Sequence, residues 1–99
     1  QNDAESVQWI RAAAEQGNAV GMVWLGVSYE DGVGIPQDYV EAHKWFILST
    51  ASGRVAADTA YLDDLAKKMT SEQVNEAQRF ARQFKPKTWA VIRKELNIE

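Results

Sequence analysis

Trp9 and Trp45 stand 36 residues apart, and so do Gly17 and Gly53. Around these anchors Gln8-Trp9-Ile10 aligns with Lys44-Trp45-Phe46, and the small pair Ala13-Ala14 aligns with Ser49-Thr50. A repeat of this length is the mark of a helical-hairpin solenoid. One such unit cannot bury both apolar faces by itself, so it stacks on neighbours of its own kind. That requirement limits the chain to an all-α array more firmly than any property of its composition.

The unit seen most completely runs from Gly17 to Gly53. It holds two helix-length segments separated by the turn-rich Asp31-Gly32-Val33-Gly34-Ile35-Pro36. Leu25-Gly26, Tyr29, Gly32-x-Gly34-Ile35-Pro36-x-Asp38-Tyr39, Ala42, Trp45-Phe46 and Gly53 together resemble a Sel1-like repeat, a relative of the tetratricopeptide repeats. Fragments of the pattern cover Trp9 to Gly17 before this unit and Gly53 to about Met69 after it. Lys68-Met69-Thr70-x-Glu72-Gln73 is similar to the C-terminal ends of bacterial Sel1-repeat proteins. The unit departs from the family pattern at Ser49-Thr50, where two alanines are usual, and at Gly21, where alanine is usual; both changes keep the side chains small. The resemblance implies a right-handed α-solenoid of helix-turn-helix repeats. It would form a single domain over residues 1–99, with a partial repeat at 1–17, a complete one at 18–53, and a degenerate repeat with a helical cap at 54–99.

Read in order, the chain supplies about six helices and no convincing strand. The first is expected over Asp3 to Gln16, capped by Asn2 or Asp3, with Val7, Ile10, Ala13 and Ala14 on its apolar side. Gly17 ends it through the left-handed conformation that glycine adopts easily. The second, about Ala19 to Asp31, is apolar nearly all round, as a central buried helix would be. Gly21 and Gly26 each cost about 1 kcal/mol against alanine inside a helix, and close approach of a neighbouring helix would explain them. Pro36 forbids continuation through the turn. Asp38 and Glu41 have capping-box spacing, so the third helix starts near Tyr39. It turns Ala42, Trp45, Phe46 and Ser49 inward and Glu41, His43 and Lys44 outward, and Gly53 ends it.

Beyond Gly53, Val55, Ala56, Thr59, Ala60, Leu62 and Leu65 keep helical spacing to about Met69. Thr70 and Gln73 have capping-box spacing for a helix to Gln83, along Val74, Ala77, Phe80, Ala81 and Phe84. A last helix begins at Pro86 or Thr88 and carries Trp89, Ile92 and Leu96. These two final helices read as a cap over the last repeat.

Eleven basic and fourteen acidic residues leave a net charge of −3, which offers no long-range attraction to nucleic acid or an anionic membrane. No run reaches the ~18 apolar residues of a membrane helix. The absence of cysteine excludes disulfides and thiol chemistry and leaves the compartment open. No signal peptide is recognisable. The chain begins at Gln1 without Met, as a processed protein, a trimmed chain or a piece of a longer array would.

No catalytic or metal-binding pattern emerges. His43, the sole histidine, has no convergent partners for a metal. Gly32-Val33-Gly34 lacks the preceding strand and the Gly-Lys-Ser/Thr of a phosphate loop. Asp63 and Asp64 are adjacent on a helix and diverge by about 100°. Glu30-Asp31-Gly32 lacks the alternating acids of a calcium loop. Neither an enzyme nor a cofactor is called for.

The aromatics at repeat positions, Trp9, Tyr29, Tyr39, Trp45 and Phe46, read as packing. Trp24 stands at a variable position off the packing face. With Val20, Val27 and Ser28 it would line the inner, concave side of the superhelix; alternatively it packs against the first or fourth helix. The resemblance implies a non-catalytic scaffold that binds a protein or peptide there. One rival is a homo-oligomer joined through the apolar Val20/Trp24/Val27 side. Another is a small-molecule-binding or hydrolytic protein, because some cysteine-rich relatives have been linked to β-lactam binding; the lack of cysteine sets this chain apart from them.

Overall fold

The computed structural model describes residues 3–51 and 60–95. Within them lie six helices: α1 (Asp3–Glu15), α2 (Ala19–Asp31), α3 (Tyr39–Ala51), α4 (Ala60–Ala66), α5 (Ser71–Gln83) and α6 (Trp89–Glu95). No strand occurs among the described residues. The expected stop at Gly53, the positions Val55, Ala56 and Thr59, the cap Asn2, and Leu96 fall outside them.

Each boundary has a local cause. Gly17 takes φ +98 after α1, and the Asn18 side chain then caps α2 by accepting the Gly21 N–H at 2.9 Å. At the other end Gly32, in the left-handed conformation, donates its N–H to the Ser28 carbonyl at 2.8 Å. The Asp38 carboxylate accepts from the Glu41 N–H at 3.1 Å and so caps α3. The reciprocal half of a capping box is not what holds Asp38: its own N–H donates to the Tyr29 carbonyl at 2.9 Å, tying the turn back to α2. Glu41 pairs with Lys44 instead, at 3.0 Å. Thr70 and Gln73 form the full reciprocal box at the start of α5. Thr88 accepts from the Val91 N–H at 3.3 Å, so it opens α6.

Helix α2 packs against α1 on one side and α3 on the other, and α3 also meets α4 and α5. The core joins Val7 and Ala14 of α1, Met22, Leu25 and Tyr29 of α2, Ala42, Trp45 and Phe46 of α3, and Leu65 of α4. At Gly26 α2 and α3 approach closely: a Cβ there would lie 2.5 Å from Phe46 Cε1. The close approach expected of this glycine is present, and it lets the Phe46 ring be almost wholly buried.

The cap expectation needs amendment. Helix α5 covers α3, with Phe84 meeting Trp45 edge-on at 5.4 Å. The segment after α5 then returns to the end of α1. Lys87 donates its backbone N–H to the Glu15 carbonyl at 2.6 Å. Its ammonium bridges Glu15 at 3.3 Å and Glu95 at 2.8 Å. The last stretch thus fastens the C-terminal helices to the first helix, and the helix that α5 covers is α3 of the complete repeat.

Gly34 carries φ +75, and a Cβ at this position would meet the Asp3 carbonyl oxygen at 2.5 Å and Val7 Cγ2 at 2.8 Å. Backbone conformation and contact with α1 both oppose a side chain. Gly34→Val is expected to lower stability by at least about 1–3 kcal/mol, read as an earlier midpoint in urea or thermal melting. An unchanged midpoint would show that the turn tolerates a side chain and is not strained.

Candidate functional site

Helix α2 offers the surface that sequence reasoning singled out. Its buried side carries Met22, Leu25, Gly26 and Tyr29. Turning about 100° per residue puts Val20 and Trp24 away from that side. They are 61% and 57% exposed, unusually high for large apolar residues. The other two candidates differ from them. Val27 is half-buried and packs on the core. Ser28 is half-buried, and its hydroxyl donates to the Trp24 carbonyl at 3.0 Å, back along the helix. The apolar character of the face therefore comes from Val20 and Trp24.

Sequence reasoning missed one residue beside this face. Trp9 was expected to pack because its repeat partner, Trp45, has packing character, and Trp45 is indeed buried at 3%. Trp9 is 51% exposed. The difference lies in the neighbours: α3 has α2, α4 and α5 around it, whereas α1 packs mainly on α2. An exposed tryptophan at a packing position was recognisable only from its location in the first, partial repeat.

His43 is a second correction. It was expected on an outward face of α3 and is instead buried, at 5% exposure. A helix with neighbours on several sides has little solvent face left, and polarity alone does not reveal this. Its Nδ1 finds no hydrogen-bond partner among the described residues. Burial pushes the imidazole pKa below its usual value. Lys44, also expected outward, lies over the Trp45 ring at 4.4 Å while paired with Glu41. Its ammonium therefore makes a cation–π contact with the indole.

Elsewhere the described residues offer little chemistry. One open groove follows a single polar helix, α5, past Glu72, Gln73, Asn75, Glu76 and Arg79. Another, of about 280 Å³, lies between α3 and α5 and is mostly apolar, lined by Ile47, Leu48, Ala51, Gln78, Ala81 and Arg82. No group of three or more metal-ligating side chains occurs among the described residues. None of their helices is long and apolar enough to cross a membrane.

With the hairpin geometry in place, comparison with known proteins is decisive for the family. The Sel1 repeat model matches residues 1–18 and 19–53. The chain belongs to the Sel1 repeat family. Among solved structures it is similar to c5321, a protective antigen present in uropathogenic Escherichia coli strains and displaying an SLR fold. The two share 31% identity with a TM-score of 0.78 over 93% of this chain. The chain corresponds to only 21% of the length of that protein. A comparison with curated proteins gives no match. Sel1 repeats are generally protein–protein interaction scaffolds and typically non-catalytic. The expected all-α repeat fold and family are thereby established for this Sel1 repeat protein.

The buried histidine gives the Sel1 domain a pH dependence of known sign. A folded-state pKa below the unfolded value of about 6.5 means the unfolded chain takes up its proton first. Stability from this group is complete above about pH 6.5 and is lost as pH falls through the folded-state value. Melting midpoints measured from pH 8 down to about pH 5 should fall in the wild type, and the His43→Leu variant should lose that part of the slope. Equal slopes would show that His43 is accessible to protons in the folded protein.

Proposed function

We propose that this Sel1 repeat protein is a non-catalytic scaffold that seats a protein or peptide partner on the inner, concave side of its stacked hairpins. Val20, Trp24, Val27 and Ser28 of α2 form the contact. The observation that supports this reading is the exposure of Trp24, at 57%, on a helix whose opposite side is fully committed to the core. Large aromatic side chains dominate the energetics of binding surfaces. Stacked helices also hold such a side chain at low ordering cost. Val27 and Ser28 shape the floor of the face, and Val20 and Trp24 supply the area a partner would cover. The same apolar surface supports a second reading, self-association of two copies, and solution mass as a function of concentration separates the two.

Trp24→Ala tests the proposal. An exposed side chain contributes little to folding, so the melting midpoint should stay close to wild type, within about 0.5 kcal/mol. Affinity for a partner recovered on immobilised wild-type protein should fall about thirtyfold, corresponding to about 2 kcal/mol. A variant that melts far earlier would make Trp24 a packing residue. One that retains the same partner at full affinity would place the binding surface elsewhere.

A further inference from the structure

The charges of this chain are unevenly placed. Six of its eleven basic residues fall between Arg79 and Glu95, against one of its fourteen acidic residues. Two of the six are already committed. Lys87 bridges Glu15 and Glu95, and Arg79 lies 3.8 Å from Glu76. Arg82, Lys85, Arg93 and Lys94 form no ion pair among the described residues. Of these four, Arg82 lines the apolar groove between α3 and α5.

The groove's own chemistry indicates what fits there. Ile47, Leu48 and Ala51 supply the α3 wall, and Ala81 supplies the apolar part of the α5 wall. Gln78 stands one turn before Arg82 on α5, and both side chains are exposed with no hydrogen bond among the described residues. Arg82 lies in the last turn of α5, where its charge complements the helix C-terminus. That role leaves the N–H donors of its guanidinium unpaired. Nothing in the groove repels a carboxylate. The sole acid of α3, Glu41, sits in its first turn and is paired with Lys44 at 3.0 Å. The groove holds about 280 Å³ and opens to solvent, whereas sites that surround a small molecule hold ~300–1,000 Å³. Its size suits a few side chains of a passing protein segment. An apolar floor beside one guanidinium does not suit nucleic acid, whose backbone calls for a row of cations.

We infer that the α3–α5 groove binds an acidic segment of a protein partner. An aliphatic or aromatic side chain of that segment seats against Ile47, Leu48 and Ala81, and an Asp or Glu beside it is received by Arg82 and Gln78. The guanidinium donates two parallel hydrogen bonds to the carboxylate, and the Gln78 amide donates to the same group. Lys85, just past the end of α5, adds attraction without entering the groove. None of Val20, Trp24, Val27 and Ser28 lines it. It is a second contact surface, and it does not rest on the proposal for α2.

The probe is a displayed library of short random peptides, selected on the wild-type protein. Enriched peptides are synthesised and titrated against wild type, Arg82→Glu, Gln78→Glu, Lys94→Glu and Trp24→Ala. Positions 78, 82 and 94 are exposed, so these three variants should melt with the wild type. The expected peptides share a carboxylate next to an aliphatic or aromatic residue, and they bind Arg82→Glu at least about tenfold more weakly. Gln78→Glu should weaken them too, because a glutamate four residues before Arg82 pairs with it along the helix and occupies the guanidinium. Lys94→Glu removes a cation outside the groove and should change affinity little at moderate salt. Replacing the apolar residue of the peptide with serine should abolish binding. Enrichment of no acidic peptide would overturn the groove, as would full affinity for Arg82→Glu or for the serine peptide. Equal losses with Arg82→Glu and Lys94→Glu would overturn it as well, leaving only the general attraction of a basic end. Peptides lost with Trp24→Ala but not with Arg82→Glu would belong to the α2 face, so the two proposals can fail separately. A solution mass that rises with concentration in the wild type and not in Arg82→Glu would overturn the partner, assigning the groove to a second copy.

Discussion

The contact on which the structure depends is Phe46 of α3 against the bare backbone of α2 at Gly26. The missing side chain lets two helices approach at a distance any Cβ would forbid. A glycine inside a helix costs about 1 kcal/mol relative to alanine. Burying an aromatic side chain such as Phe46 contributes about 1.5–3 kcal/mol, so the exchange favours the close packing. Once α2 and α3 are locked this way, Leu25, Met22 and Tyr29 have their orientation decided, and the opposite side of α2 is left with Val20 and Trp24. The exposed face is therefore a consequence of the core contact. A helix apolar on every side cannot hide all of itself against two neighbours.

Much of the fold was legible because its punctuation is chemical. Glycines at 17, 32 and 34, the Asp38 cap, and the Thr70–Gln73 box each act within a few residues, and each appears where the sequence places it; the Asn18 cap is as local but was not read from the sequence. Helical spacing identified Leu25, Trp45 and Phe46 as core for the same reason. The less legible parts depend on neighbours distant in sequence. His43 is polar and sits at a position that would be solvated in an isolated hairpin. It is buried because α3 is packed on several sides. The bridge from Lys87 to Glu15 spans 72 positions, and no local pattern marks it. It is partly exposed, and such pairs contribute no more than about 1 kcal/mol, so its value lies in where it directs the chain.

The candidate site was legible in half. Periodicity left Trp24 either on an open face or packed on another helix, and the side chain is exposed. It gave no sign that Ser28 would turn its hydroxyl onto the helix backbone, or that Val27 would lean on the core. The misreading of Trp9 is the more instructive case. Treating equivalent positions as equivalent environments assumes every repeat has a neighbour on both sides. Among the described residues Trp45 has α2, α4 and α5 around its helix and Trp9 has mainly α2, although the two share identity and repeat register.

This contrast separates two sources of apolar surface in a repeat protein. A residue can be exposed because it lies off the packing side of its helix, as Trp24 does. It can also be exposed at a position that its repeat counterpart buries, as Trp9 is, because α1 packs mainly on α2 among the described residues. The first follows from the pattern within one helix and the second only from the neighbours, so helical periodicity can find Trp24 and cannot find Trp9.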